Sequence, residues 1–300
     1  MKKYFLLTFV FLSLAVALVG CRSKFEGQPG EKPSVLVSVP PYVSIVQAIA
    51  GNTVTVESVV SPGFDSHSNE ITPSQAKKIQ TCDLWIGIGE PYEKKLLASL
   101  REAKQEVRVL QLNEIIHLIS YEDDVNFVDA CADVNLPDRS AHDLHFWMSP
   151  KRLVYQAQRI YEALLTMSPD HTTLYQENLK KYISDVKAVD LRISEALKPF
   201  HKKGVIVSHA FLGYLCYDYN MYQIAVECEG KSPRTQSVNR VLALAKNYDV
   251  KCVFTSPQYN NKGALLVAEK LNLKTYEVDP LDLDPLQTIQ KVVDDITSTK

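Results

Sequence analysis

The stretch 168–198 constrains the fold most. Between Pro169 and Pro199, the residues Leu174, Leu179, Tyr182, Val186, Val189, Ile193 and Leu197 recur at mostly three- and four-residue steps. That spacing predicts one long helix with an apolar stripe, and a proline suits its first turn. At 1.5 Å per residue, about 30 residues span about 45 Å, too stiff for a flexible linker. A shorter helix, predicted over 150–166, leads into it.

On either side of this strut, short β-rich runs alternate with helical patterns. Strands are predicted over 34–39, 53–60, 84–88 and 107–112, with helices over 41–50, 73–81 and 92–103. The rhythm returns as strands over 205–208, 221–226, 251–255 and 274–278, with helices over 210–219, 235–247, 262–271 and 285–297. Alternation of this kind implies parallel sheets covered by helices. The expected fold is α/β, two lobes joined by one long rigid helix.

The amino terminus reads differently. Two lysines precede a run from Tyr4 to Val19 without a charge, which then ends in Leu18-Val19-Gly20-Cys21. This reads as a signal peptide, since a spanning helix needs about 20 apolar residues. Small residues before a cysteine look like the lipobox of bacterial lipoproteins, so Cys21 is the expected lipidation site. The boundaries expected are 1–20 for the leader, 21–33 for the lipidated tether and 34–149 for the first lobe. The connecting helices then take 150–200 and the second lobe 201–300. A chain beginning at Cys21 would hold 280 residues, and losing Lys2 and Lys3 would move its formal charge from −2 to −4.

Charge and composition narrow the partners. With 33 Lys+Arg against 35 Asp+Glu, there is no basic footprint for nucleic acid. Export makes disulfides chemically available, but Cys82, Cys131, Cys216, Cys228 and Cys252 are odd in number and form no C-x-x-C. Most lie in apolar runs, where a buried thiol is expected.

Ligands of open α/β sheets bind in the crevice beyond the carboxyl ends of the strands. Metal-ligand residue types fall at those positions. The strand over 53–60 runs toward His67, 205–208 into His209, and 274–278 into Asp279, while His145 lies just before the connecting helices. Three imidazoles and a carboxylate suit zinc, and a bidentate carboxylate raises the coordination number toward what manganese accepts. Each histidine also has a bland reading as a capping or core residue. His142 is expected in solvent, and His117, His171 and His201 are expected to be structural or exposed.

Four ordered segments carry a resemblance. Pro62-Gly63-Phe64-Asp65-Ser66-His67-Ser68-Asn69-Glu70-Ile71-Thr72-Pro73-Ser74 resembles the P-G-x-D-x-H-x-x-E-x-T-P-S segment of the metal-binding solute receptors of bacterial ABC importers, the helical backbone metal receptors. Asp143-Leu144-His145-Phe146-Trp147-Met148-Ser149-Pro150 is similar to their D-P-H-x-W-x-S-P segment, with Leu144 replacing the proline. Ser208-His209-Ala210-Phe211-Leu212-Gly213-Tyr214 is similar to the opening of their second domain, with Ala210 replacing an aspartate, and Val278-Asp279-Pro280-Leu281 matches their carboxylate position.

The resemblance implies that His67, His145, His209 and Asp279 ligate the metal, with Glu70 near the cleft rim. It also implies that Thr72-Pro73-Ser74 starts a helix holding the His67 loop. The histidine-rich acidic loop of many zinc-specific members is here acidic only, with Glu122, Asp123, Asp124, Asp129, Asp133 and Asp138.

The function expected is an extracytoplasmic receptor, monomeric and held to a membrane through Cys21. It would pass zinc or manganese, with iron also open, to an ABC permease and its ATPase. The competing readings are a metal-dependent hydrolase, with Asp279 or Glu70 as base, and a surface adhesin with structural metal. No H-E-x-x-H or G-x-S-x-G motif supports an enzyme.

Overall fold

The computed structural model describes residues 31–60, 71–102, 107–120, 127–129, 142–226 and 235–299. Cys21, His67, Glu70, Cys131 and Cys228 lie outside them, as does most of the acidic stretch.

Four strands, β1 (Ser34–Val37), β2 (Thr55–Ser58), β3 (Leu84–Gly87) and β4 (Arg108–Gln111), form a parallel sheet in the order β2-β1-β3-β4. The central strands read SVLV and LWIG and are almost wholly buried, as expected where helices cover both faces. Helices α1 (Pro41–Ala50), α2 (Pro73–Thr81) and α3 (Pro91–Glu102) provide that cover.

The start of α2 follows directly from its sequence. Thr72 Oγ1 accepts from Gln75 N at 3.3 Å, Gln75 Oε1 accepts from Thr72 N at 2.8 Å, and Pro73 occupies the first turn. Gln75 Nε2 also donates to Val59 O at 2.7 Å. The two ends of the segment that contains His67 are therefore pinned together.

The second sheet is parallel and five-stranded. Its strands are β5 (Phe127–Asp129), β6 (Gly204–Val207), β7 (Tyr222–Ala225), β8 (Cys252–Thr255) and β9 (Lys274–Glu277), in the order β5-β7-β6-β8-β9. Helices α6 (Gly213–Asp218), α7 (Thr235–Asn247), α8 (Lys262–Leu271) and α9 (Pro285–Thr297) belong to this half. The sequence reading has no strand at 127–129. Three residues within an acidic stretch give too short an alternation to register, yet Phe127, Val128 and Asp129 pair with Gln223, Ile224 and Ala225.

Between the sheets run α4 (Pro150–Met167) and α5 (Thr172–Leu197). The strut is shorter than the predicted 168–198. Ser168 sits at φ −135°, ψ 72° because the residue before a proline is pushed out of the helical region, and 3-10 turns at Pro169–His171 and Lys198–Phe200 flank α5. The 26 residues that remain still reach about 39 Å.

The strut touches both halves through polar bonds. Near its start Asn178 Nδ2 donates to Ile49 O at 3.0 Å, and the hydroxyls of Tyr175 and Thr53 bond at 2.7 Å. Farther along, Asp190 Oδ1 accepts from Tyr219 Oη at 2.6 Å. Residues Lys32–Lys300 form one compact unit, and a single apolar core runs from β1 and β3 through α4, α5 and α9 to β6 and β8. A second cluster packs α7 and α8 on the sheet around Ile206, Ile224 and Val253.

Candidate metal centre

The segment between the two sheets is tied at both ends. Ser120 and His142 form an antiparallel bridge, Asp143 N donates to Ile119 O at 3.0 Å, and a buried 3-10 turn, Phe146–Met148, runs into α4. Within it His145 is only 1% exposed. Asp143 Oδ1 accepts from both the backbone N and the Nδ1 of His145, each at 2.8 Å.

A carboxylate can only accept here, so in the neutral imidazole Nδ1 is the nitrogen that carries the proton and Nε2 the one with the lone pair. A buried carboxylate in this position fixes both tautomer and ring direction, the usual second partner of a metal-binding imidazole.

Asp143 is itself held. Tyr214 Oη donates to its carbonyl at 2.7 Å and accepts from Ile119 N at 3.1 Å. Burial, reinforced by the Asp143 charge, pushes the Tyr214 hydroxyl far above its ordinary pKa, so it remains a donor. Gly213 closes the other side. A Cβ there would come 2.3 Å from Asp143 Oδ2, so only glycine lets α6 approach. Arg152 adds a fork to the far end of α6, with Nε 3.0 Å from Asp218 Oδ2 and Nη2 2.8 Å from Oδ1, and Ser149 Oγ donates to the same carboxylate at 2.6 Å.

His209 lies two residues after the end of β6, and Val207 and Ser208 before it are buried. Its ring centroid lies 5.2 Å from that of His145, with the planes 71° apart. With Zn–N at about 2.0–2.1 Å, a ring centroid stands about 3.2 Å from the metal, so two imidazoles at a tetrahedral angle have centroids about 5.2 Å apart. The pair is thus spaced as two ligands of one tetrahedral ion would be. Tyr259 stacks on His209 at 3.8 Å and 16°.

Asp279 follows β9, with Val278 N donating to Thr255 O at 2.9 Å. Its Oδ1 accepts from Leu281 N at 2.8 Å and from Gln258 Nε2 at 2.5 Å. The adjoining Pro280 carbonyl accepts from Trp147 Nε1 at 2.8 Å. One hydrogen bond therefore joins the His145 turn to the Asp279 turn.

Two of the four predicted ligands, His145 and His209, are brought together edge to face. Asp279 reaches them through Trp147 and through the Gln258–Tyr259 loop. Among the described residues no group of three or more His, Cys, Asp or Glu is arranged to hold a metal ion. His142, His117, His171 and His201 are exposed. Cys82, Cys216 and Cys252 are buried thiols, and burial pushes Cys82 up to about 12.

At the first sheet, buried Glu93 accepts from Ile88 N at 3.0 Å and Gly89 N at 2.9 Å, and Gly89 turns at φ +96°. Burial raises the Glu93 pKa despite these bonds.

Gln258 and Tyr259 are not singled out by sequence, and Asp143 and Trp147 enter it only as matching positions of the D-P-H-x-W-x-S-P segment, without a role. The D-x-H spacing carries a signal for Asp143, whereas Gln258 and Tyr259 are recognisable only by their place just after β8. If Asp143 sets the His145 ring, Asp143→Ala should weaken zinc binding about 10- to 100-fold, the usual cost of losing such a partner. A competition titration with a chelator of known affinity would read this, and unchanged affinity would remove Asp143 from the site.

The family profile described as "ZnuA: Zinc-uptake complex component A periplasmic" matches residues 35–298. A candidate metal-binding protein of Chlamydia trachomatis serovar D is 28% identical over 270 residues, covering 90% of this chain and 92% of the relative. The zinc-binding lipoprotein AdcA of Streptococcus pneumoniae serotype 4 is 25% identical over 275 residues, 89% of this chain but only 53% of that protein. A crystal structure of ZnuA superposes with a TM-score of 0.78 at 24% identity, covering 89% of this chain and 99% of the other, and shows the same fold.

Proposed function

Because the chain belongs to the family of zinc-uptake complex component A, we propose that it captures a divalent transition metal outside the cytoplasmic membrane and hands it to an ABC permease and its ATPase. It is a receptor, not an enzyme. The ligands in this reading are His67, His145, His209 and Asp279, with zinc favoured over manganese or iron by three imidazoles. A lipid on Cys21 would tether a monomer to the membrane. Among the described residues no helix is long and apolar enough to cross one.

The observation that carries this reading is the 5.2 Å separation of the His145 and His209 rings, with His145 Nδ1 held by Asp143. The strut α5, bonded to both halves, favours release by a local loop change or a modest lobe shift over a wide hinge.

Chelation tests the proposal. The apolar core draws side chains from both halves and from α4, α5 and α9, so the stripped protein should stay cooperatively folded and then take up one zinc per chain. Zinc at about 100 times its Kd should stabilise it by about 2.7 kcal/mol in denaturant melts. Failure to bind zinc, or loss of cooperative unfolding on chelation, would overturn the proposal, the latter because it marks a structural site.

A further inference from the structure

We infer that Gln258 determines metal specificity by confining Asp279 to a single-oxygen contact, which favours four-coordinate zinc over manganese. The inference rests on the proposed reading of His67, His145, His209 and Asp279 as ligands.

Asp279 Oδ1 accepts two hydrogen bonds, from Gln258 Nε2 at 2.5 Å and Leu281 N at 2.8 Å. A carboxylate oxygen has two lone-pair directions, so Oδ1 is filled and Oδ2 is the oxygen left to face a metal.

The amide is itself oriented. Ser256 Oγ donates to Gln258 Oε1, which turns the NH2 toward Asp279. The loop is closed at its base by Asn261, whose Oδ1 accepts from Ser256 N at 3.1 Å and whose Nδ2 donates to Ser256 O at 2.9 Å. The neighbouring Tyr259 stacks on His209. A single loop between β8 and α8 thus sets both candidate ligands of the second half.

Three imidazoles and one oxygen make four donors, the number zinc prefers. Releasing Oδ1 would allow a second oxygen to bind, which suits an ion that accepts higher coordination and harder donors. Gln258 is a positioning residue in this account, since it acts on the metal only through Asp279.

The test compares wild type with Gln258→Ala and Gln258→Asn, whose shorter amide falls short of the carboxylate. Affinities for zinc and for manganese are measured separately by competition titration, and the metal-free melt confirms folding. The ratio of zinc to manganese affinity should drop about tenfold, within the range for outer partners of metal ligands, chiefly by a gain in manganese binding. Cobalt(II) supplies a spectroscopic readout. The intense visible absorption of a four-coordinate site in wild type should give way to the weak bands of higher coordination in the variants.

A ratio that moves less than about threefold, or two affinities that fall in parallel with an unchanged cobalt spectrum, would make Gln258 mere structural support and overturn the inference. Wild-type protein that binds no zinc would instead sink the proposed function itself.

Discussion

His209→Ala should bind zinc about 60- to 700-fold more weakly than the wild-type chain while, with both proteins metal-free, unfolding at nearly the same denaturant concentration. A four-ligand zinc site contributes about 10–16 kcal/mol, so one donor in four is worth about 2.5–4 kcal/mol, and each 1.4 kcal/mol is tenfold in affinity. The stability side follows from position. His209 is half-buried at the crevice, where its ring stacks on Tyr259 and meets His145 edge-on, and it is not part of the apolar core. Truncating it leaves the core intact.

His145→Ala should differ in a diagnostic way. His145 is buried and bonded twice to Asp143, so its removal empties space in the core and strands a buried carboxylate. Both affinity and stability should fall. Competition titration and denaturant melts on the two variants separate the ligand role from the packing role. Wild-type zinc affinity in His209→Ala would take His209 out of the ligand set.

Much of this could be read from sequence, and the part that could not has a physical reason. Strand ends point to candidate ligands because parallel sheets direct chain reversals to one edge, and His209 and Asp279 stand at such ends. Helix bounds were readable where caps are local. The predicted 285–297 is the observed α9, with Asp284 Oδ1 accepting from Gln287 N at 3.0 Å and Pro285 in the first turn.

The contacts that orient the candidate ligands are not legible for the opposite reason. Gln258 and Asp279 are far apart in sequence and meet only because β8 and β9 are neighbours in the second sheet. Trp147 and Pro280 meet only because the 3-10 turn and the loop after β9 are packed together. Asp143 lies between these cases. Its bond to His145 is local, but the reason it stays in place is the hydroxyl of Tyr214 and the bare face of Gly213, both supplied by α6.

Trp147→Ala should be the most damaging single change for stability, and it should weaken zinc binding as well. Trp147 is fully buried, with edge-on contacts to Tyr42 at 6.0 Å and Phe146 at 6.3 Å and a tilted contact to His145 at 5.2 Å. Truncating a buried tryptophan costs about 3–5 kcal/mol. In a chain of this size that lowers Tm by about 6–20 °C.

The Pro280 carbonyl would also lose the donor that ties it to the His145 turn. Gln156 Nε2 donates to Phe146 O at 3.1 Å and its Oε1 accepts from Tyr42 Oη at 2.6 Å, so the turn stays attached to α1 and α4. The loss therefore falls on the link to Asp279.

Trp147→Phe divides the two effects. It keeps most of the ring and deletes only the N–H, at about 1–3 kcal/mol for the unpaired carbonyl. Weaker zinc binding in Trp147→Phe, with the metal-free fold retained, would show that the bond holds the two ligand turns in register. Unchanged zinc affinity in that variant would reduce Trp147 to a packing residue, and the alignment of His145 with Asp279 would then rest on the loop that carries Gln258 and Tyr259.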